Sequence, residues 1–299
     1  MAAVTRPGIT LTAPRRRRAR WVPPLMAAAV LCLLAGLWAA LIRLGLPVPA
    51  LRANLAAVHG QLMTLGFLGT FIALERAVAL GEAWGYLAPA AAGAGGLAVT
   101  AGAPGSLGEA LIGAGGVVLV AIFVAVLRIQ PSLHNAVLAA GAACWVVAAG
   151  LWLAGCDISR FVPWLAGFLV LTIAGERLEL SRMAGTSRRA RLLFAGAACV
   201  FAAGLLASLA AGPDAAAPGE PVPAGIRVTG VGLIALAAWL WRYDIARRTI
   251  RGRGVTRYMA AALLTGYAWL IVAGALWAGI GQMADWPAYD AEVHAIFLG

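Results

Sequence analysis

The sequence contains no lysine; all 23 basic residues are arginine. Charge of either sign is sparse, at 12% of residues against 62% hydrophobic. With a mean hydropathy of +0.88, water is not the main solvent of this chain. Cysteine is also scarce: Cys32, Cys144, Cys156 and Cys199 stand singly on different segments. The absence of any C-x-x-C removes the case for a zinc site and for c-type haem attachment. The four thiols read as small buried hydrophobes. No phosphate-binding loop, hydrolase triad or metalloprotease helix occurs. The net charge of +11 would point to nucleic acid in a soluble protein. Here the arginines sit in loops between apolar segments, as membrane topology requires, so nucleic acid is not expected as a partner.

What the sequence does have is apolar runs near 20 residues long, each able to cross a hydrocarbon core of about 30 Å. The expected fold class is all-α, a polytopic transmembrane helix bundle whose Gly and Ala content suits close helix packing. Spans are predicted at about 23–46, 54–80, 86–104, 107–127, 134–155, 161–180, 190–211, 226–243 and 257–280, with a tenth starting near 288. Residues 1–20 form a basic tail ending in "RRRRAR", and residues 21–299 form one helical domain. The first apolar run is too long for a signal-peptide core and reads as an uncleaved helix. With the N-terminus cytoplasmic, "RLELSRMAGTSRRAR" and "WRYDIARRTIRGRGVTR" also face the cytoplasm. The opposite loops hold the acidic "PDAAAPGEPVPAG" and "MADWPAYDAE". The last predicted span stops after "HAIFLG", which reads as a helix cut short. Trp21, Trp84, Trp164, Trp241 and Trp286 lie near predicted span ends and read as interfacial anchors.

Three histidines carry the main chemical interest. His59 lies about 8 Å below the outer end of the second span, and His294 about 9 Å into the tenth, which runs the same way. Two imidazoles in one layer suit the axial positions of a haem, since neutral imidazole nitrogen is a good iron ligand. The competing reading makes each a packing residue that hydrogen-bonds across helices. Gly60 and Gly66 would leave room for a flat macrocycle, and Met63, one turn below His59, would line the pocket. His134, at a cytoplasmic span start, reads as a wet interfacial histidine. Two acid-base pairs, Glu75-Arg76 in "IALERAVAL" and Glu176-Arg177 in "IAGERLELSR", close the second and sixth spans. They form a candidate ion-pair network fixing helix ends, or alternatively part of a proton path.

The stretch "AVHGQLMTLGFLGT" resembles the second helix of haem-copper oxidase subunit I, and "AEVHAIFLG" resembles the start of its tenth. The closest branch is the NnrS-like one, bacterial membrane proteins associated with nitric oxide stress. The resemblance implies twelve helices in three groups of four, of which about ten are visible. It also implies haem b, with His59 and His294 as ligands to the iron. The oxidase centre needs further histidines on the sixth and seventh helices, and "FVPWLAGFLVLTIAGERLEL" and "RLLFAGAACVFAAGLLASLAAG" contain none. Copper and a complete oxidase centre are therefore not supported, and no catalytic residue is assigned. The resulting expectation is a multi-pass protein of the bacterial inner membrane that binds haem b. Its role would be electron transfer or the sensing or resisting of nitrogen oxides, alongside other membrane redox proteins. The alternatives are a cofactor-free transporter and a structural subunit of a respiratory complex.

Overall fold

The computed structural model describes residues 20–49, 52, 54–183, 185–210, 224–283 and 287–299. The basic tail up to residue 19, most of the acidic stretch 213–225 and the Trp286 anchor lie outside them. Among the described residues every regular element is helical. The helices are α1 (Val22–Arg43), α2 (Leu55–Leu80), α3 (Leu87–Ala101), α4 (Leu107–Ile129), α5 (Leu133–Leu153) and α6 (Ile158–Met183). They continue as α7 (Arg188–Leu209), α8 (Ala224–Tyr243), the short α9 (Ala246–Thr249), α10 (Gly254–Gly279) and α11 (Ala288–Phe297).

Eight of these are long and apolar enough to cross a membrane, namely α1, α2, α4 to α8 and α10. Two predicted spans fall short of that. Helix α3 has 15 residues and α11 has 10, or about 22 Å and 15 Å of rise against a core of about 30 Å. The apolar pattern around α3 runs on to residue 104, but Gly102 at φ +70° ends the helix.

Local chemistry explains most helix ends. Proline stands in the first turn of α1, where a missing N–H costs nothing. The Ser132 and Ser187 side chains cap α5 and α7, accepting from Asn135 N at 3.4 Å and Ala190 N at 3.2 Å. Pro163 sits inside α6 and cannot donate to the carbonyl of Ser159 one turn earlier. That carbonyl instead accepts the Gln282 side-chain N–H at 2.9 Å, which ties the segment before α11 to the start of α6.

The chain divides into two compact units, residues 1–122 and 123–299. In the first, α1, α2 and α3 pack through small residues. A Cβ on Gly66 would lie 3.2 Å from Cys32 Cβ, and one on Gly93 3.1 Å from Ala28 Cβ. In the second unit, α5 packs on α6, with Trp145 and Phe168 ring centroids 5.1 Å apart. Glycines then let α7, α8 and α10 approach one another closely. A Cβ at Gly230 would lie 2.5 Å from Ala278 N and 2.6 Å from Gly274 O, both backbone atoms. Gly230→Ala is therefore expected to push α8 from α10 and to cost about 1–3 kcal/mol. Gly150→Ala on α5, where nothing lies within 4 Å, is expected to be neutral. Comparing their thermal midpoints in detergent checks this.

Two expectations about buried groups need correction. Trp164 is only 4% exposed and belongs to the core of the second unit, whereas Trp21, Trp84 and Trp241 are exposed. Of the cysteines, Cys32 and Cys144 are buried, Cys156 is intermediate and Cys199 is exposed. Cys199 sits on the outer face of a helix whose apolar residues are largely exposed too, such as Leu192 and Leu206.

Candidate functional site

In the first unit the surroundings of His59 are built by an irregular helix. Helix α2 opens after Asn54, whose φ is +62°, with a 3₁₀ turn at Leu55–Val58. His59 begins the α-helical turn that follows, and Leu62–Gly69 is then a π-helix before α-helix resumes at Thr70. A π segment this long is rare, and such irregularities occur often at functional sites. Within it the Thr64 hydroxyl donates to the Gly60 carbonyl at 2.7 Å, so Gly60 contributes its backbone oxygen there.

His59 Nδ1 lies 2.8 Å from the carbonyl oxygen of Gly36 on α1. A carbonyl can only accept, so Nδ1 carries the proton and Nε2 carries the lone pair. Gly36 is needed at that point for a second reason. A Cβ there would lie 2.7 Å from Met63 Sδ. Met63 is thus seated on α1 at the residue that orients His59. Gly66 faces Cys32 of α1, so its missing side chain serves helix packing rather than leaving an open slot.

The second unit holds His294 in a similar way. Its Nδ1 lies 2.7 Å from the Asp290 carbonyl oxygen and 3.2 Å from Asp290 Oδ2. Here too the proton sits on Nδ1, with a carboxylate beside it that helps to fix the ring. Two residues before His294, Glu292 is fully buried and its Oε2 accepts the Met283 backbone N–H at 3.1 Å. Sequence reasoning placed Glu292 only in an acidic loop. A carboxylate two residues before a histidine in an apolar run was the available signal.

His134 differs from both. It is 3% exposed, not wet and interfacial as expected, because α5 packs its first turn against α6. Its Nε2 lies 3.2 Å from Ser132 Oγ and 3.9 Å from Glu179 Oε1. Its Nε2 is thus engaged.

The charged pairs are arranged otherwise than sequence adjacency suggested. Glu75 and Arg76 do bond, at 3.1 Å, but the Glu75 side chain is 58% exposed. Arg177 is held instead by Asp244 at the end of α8, through Nε at 2.8 Å and Nη2 at 2.6 Å. The Tyr267 hydroxyl of α10 also donates to Asp244, whose side chain is fully buried. Three helices of the second unit therefore meet at one carboxylate. Glu176 is half-buried beside this cluster in sequence, and Asp244 is the acid that pairs with Arg177.

Among the described residues, no three His, Cys, Asp or Glu side chains gather closely enough to hold a bare metal ion. A haem, by contrast, needs only one or two axial nitrogens. A family model described as "Domain of unknown function (DUF8744)" matches residues 21–299. The chain belongs to this family. The DUF8744 match starts immediately before α1 and so takes in every helix described above, including both histidine sites. No curated protein and no solved structure matches the chain.

Proposed function

We propose that this DUF8744 protein is a haem b-binding protein of the bacterial inner membrane, with His59 in the first unit and His294 in the second as its candidate iron ligands and its N-terminus cytoplasmic. The carrying observation is the tautomer. Both rings donate from Nδ1 to a main-chain carbonyl, at 2.8 Å for His59 and 2.7 Å for His294, so in the neutral ring the lone pair is on Nε2 in both. That is the state an imidazole ligand must adopt, and the second hydrogen bond also fixes the ring's orientation. Asp290 helps to fix the His294 ring, and the Gly36 carbonyl holds the His59 ring. When bound, haem supplies one-electron chemistry. With two imidazoles it passes electrons, and with one it leaves a position for a small gas such as nitric oxide. A haem-copper oxidase-like architecture of the NnrS-like kind belongs to the same proposal.

The test is an optical spectrum of the purified protein, oxidised and then dithionite-reduced, after expression with ample haem. A Soret band with sharp reduced bands supports the reading. A featureless spectrum overturns it. A cofactor-free transporter would then come first, favoured by the buried contact of Arg177, Asp244 and Tyr267 on three helices.

A further inference from the structure

The second unit concentrates positive charge at one end. Trp239 near the end of α8 donates from Nε1 to the Ala190 carbonyl of α7 at 2.7 Å, and Phe194 packs on the same indole. The start of α7 therefore lies beside the end of α8. Asp244 binds Arg177 near the end of α6, which brings that helix to the same place. It also accepts from Tyr267, about halfway along α10, so the first turns of α10 run past the end of α8.

Nine exposed arginines fall on these segments: three in residues 188–191, one at 242 and five in residues 247–257. The stretches 185–191 and 242–257 contain a single acid, Asp244, which is buried and held by Arg177. The end of α6 adds Glu176 and Glu179, which leaves a large excess of positive charge across the nine arginines. Exposed apolar and aromatic side chains stand among the arginines, with Trp241 at 42%, Val255 at 73%, Tyr258 at 75% and Met259 at 59%.

We propose that this end of the second unit binds the phosphate headgroups of anionic phospholipids. A guanidinium presents planar paired donors that match a phosphate, and several of them along one rim favour an anionic surface over a zwitterionic one. The apolar neighbours decide between lipid and another polyanion. Val255, Tyr258 and Met259 need hydrocarbon beside the cationic rim, which a bilayer boundary supplies. A nucleic acid or a soluble acidic protein would leave them in water. The inference does not depend on haem.

The test uses full-length protein in mild detergent, given equal amounts of phosphatidylglycerol and phosphatidylcholine with the same acyl chains. Native mass spectrometry reads the lipid retained. The wild type is expected to retain phosphatidylglycerol preferentially. The triple variant Arg247→Gln, Arg248→Gln, Arg251→Gln is expected to lose at least about tenfold of that preference, from the usual contribution of each surface arginine. Arg227→Gln, at the exposed opposite end of α8, is expected to keep it. If the triple variant fails to fold, the set Arg188→Gln, Arg189→Gln, Arg191→Gln on α7 carries the same expectation. Equal retention of both lipids by the wild type overturns the proposal, as does an undiminished preference in the arginine variants. Equal retention together with tight binding of a short DNA duplex at physiological salt overturns it in favour of a nucleic-acid surface.

Discussion

Asp244→Asn is expected to destabilise the second unit by about 3–5 kcal/mol, the usual cost of removing one partner from a buried ion pair. The substitution keeps the side-chain volume but takes away the charge that Arg177 approaches at 2.6 Å and 2.8 Å. Asp244 has no exposed side-chain surface and Arg177 only 16%, so water cannot take over the lost contact. The stranded cation causes most of the loss. Arg177→Met/Asp244→Leu is therefore expected to recover much of it, because it removes both desolvated charges together. Reversible unfolding in mixed micelles measures each variant, and the cycle isolates the coupling. A loss below 1 kcal/mol for Asp244→Asn would mean that the pair is wet and that packing alone holds α6, α8 and α10. The exposed Glu75–Arg76 contact gives the contrast. Glu75→Gln is expected to change stability by less than about 1 kcal/mol, since the carboxylate side of the pair is 58% exposed and screened.

The sequence and the structure part at particular residues, and each divergence has a cause. Eight spans are legible because an apolar run of that length has few other solutions. Helix α3 misled because hydropathy measures apolarity, while helix length also depends on the terminating Gly102. Arg177 was read beside Glu176, its neighbour in sequence, although its partner is 67 residues away. Adjacent residues on a helix point in different directions, so adjacency is a poor guide to pairing. The π segment at Leu62–Gly69 was invisible because it reflects a shifted hydrogen-bond ladder, not a composition. Gln282 was equally silent. Only the missing N–H of Pro163 gives it a reason to reach Ser159, and that reason exists only once α6 is folded. The histidines were legible as candidates because charge-capable groups in apolar runs are few. Their protonated nitrogens were not, since those depend on Gly36, 23 residues from His59, and on the α11 backbone.

Replacing His59 by glycine is expected to abolish the low-spin haem spectrum, and added imidazole is expected to restore it. That rescue separates a ligand from a packing residue, because free imidazole can refill a coordination position but cannot rebuild the Gly36 contact that links α2 to α1. His294→Gly is expected to alter the haem spectrum in its own right, again with rescue by added imidazole. His134→Asn is expected to keep the wild-type spectrum, since that ring is buried at the start of α5 and engages Ser132 through Nε2. Asp290→Ala tests the layer behind the ligand. It removes the carboxylate 3.2 Å from His294 Nδ1 but leaves the backbone carbonyl in place. Haem affinity is therefore expected to fall by about 10–100-fold without loss of the fold. Wild-type spectra in both the His59 and His294 variants would sink the ligand assignment even if the protein is coloured. An unchanged spectrum in His294→Gly alone would place the second axial ligand elsewhere, and leave His59, held by α1 and the π segment, as the residue that brings iron to this bundle.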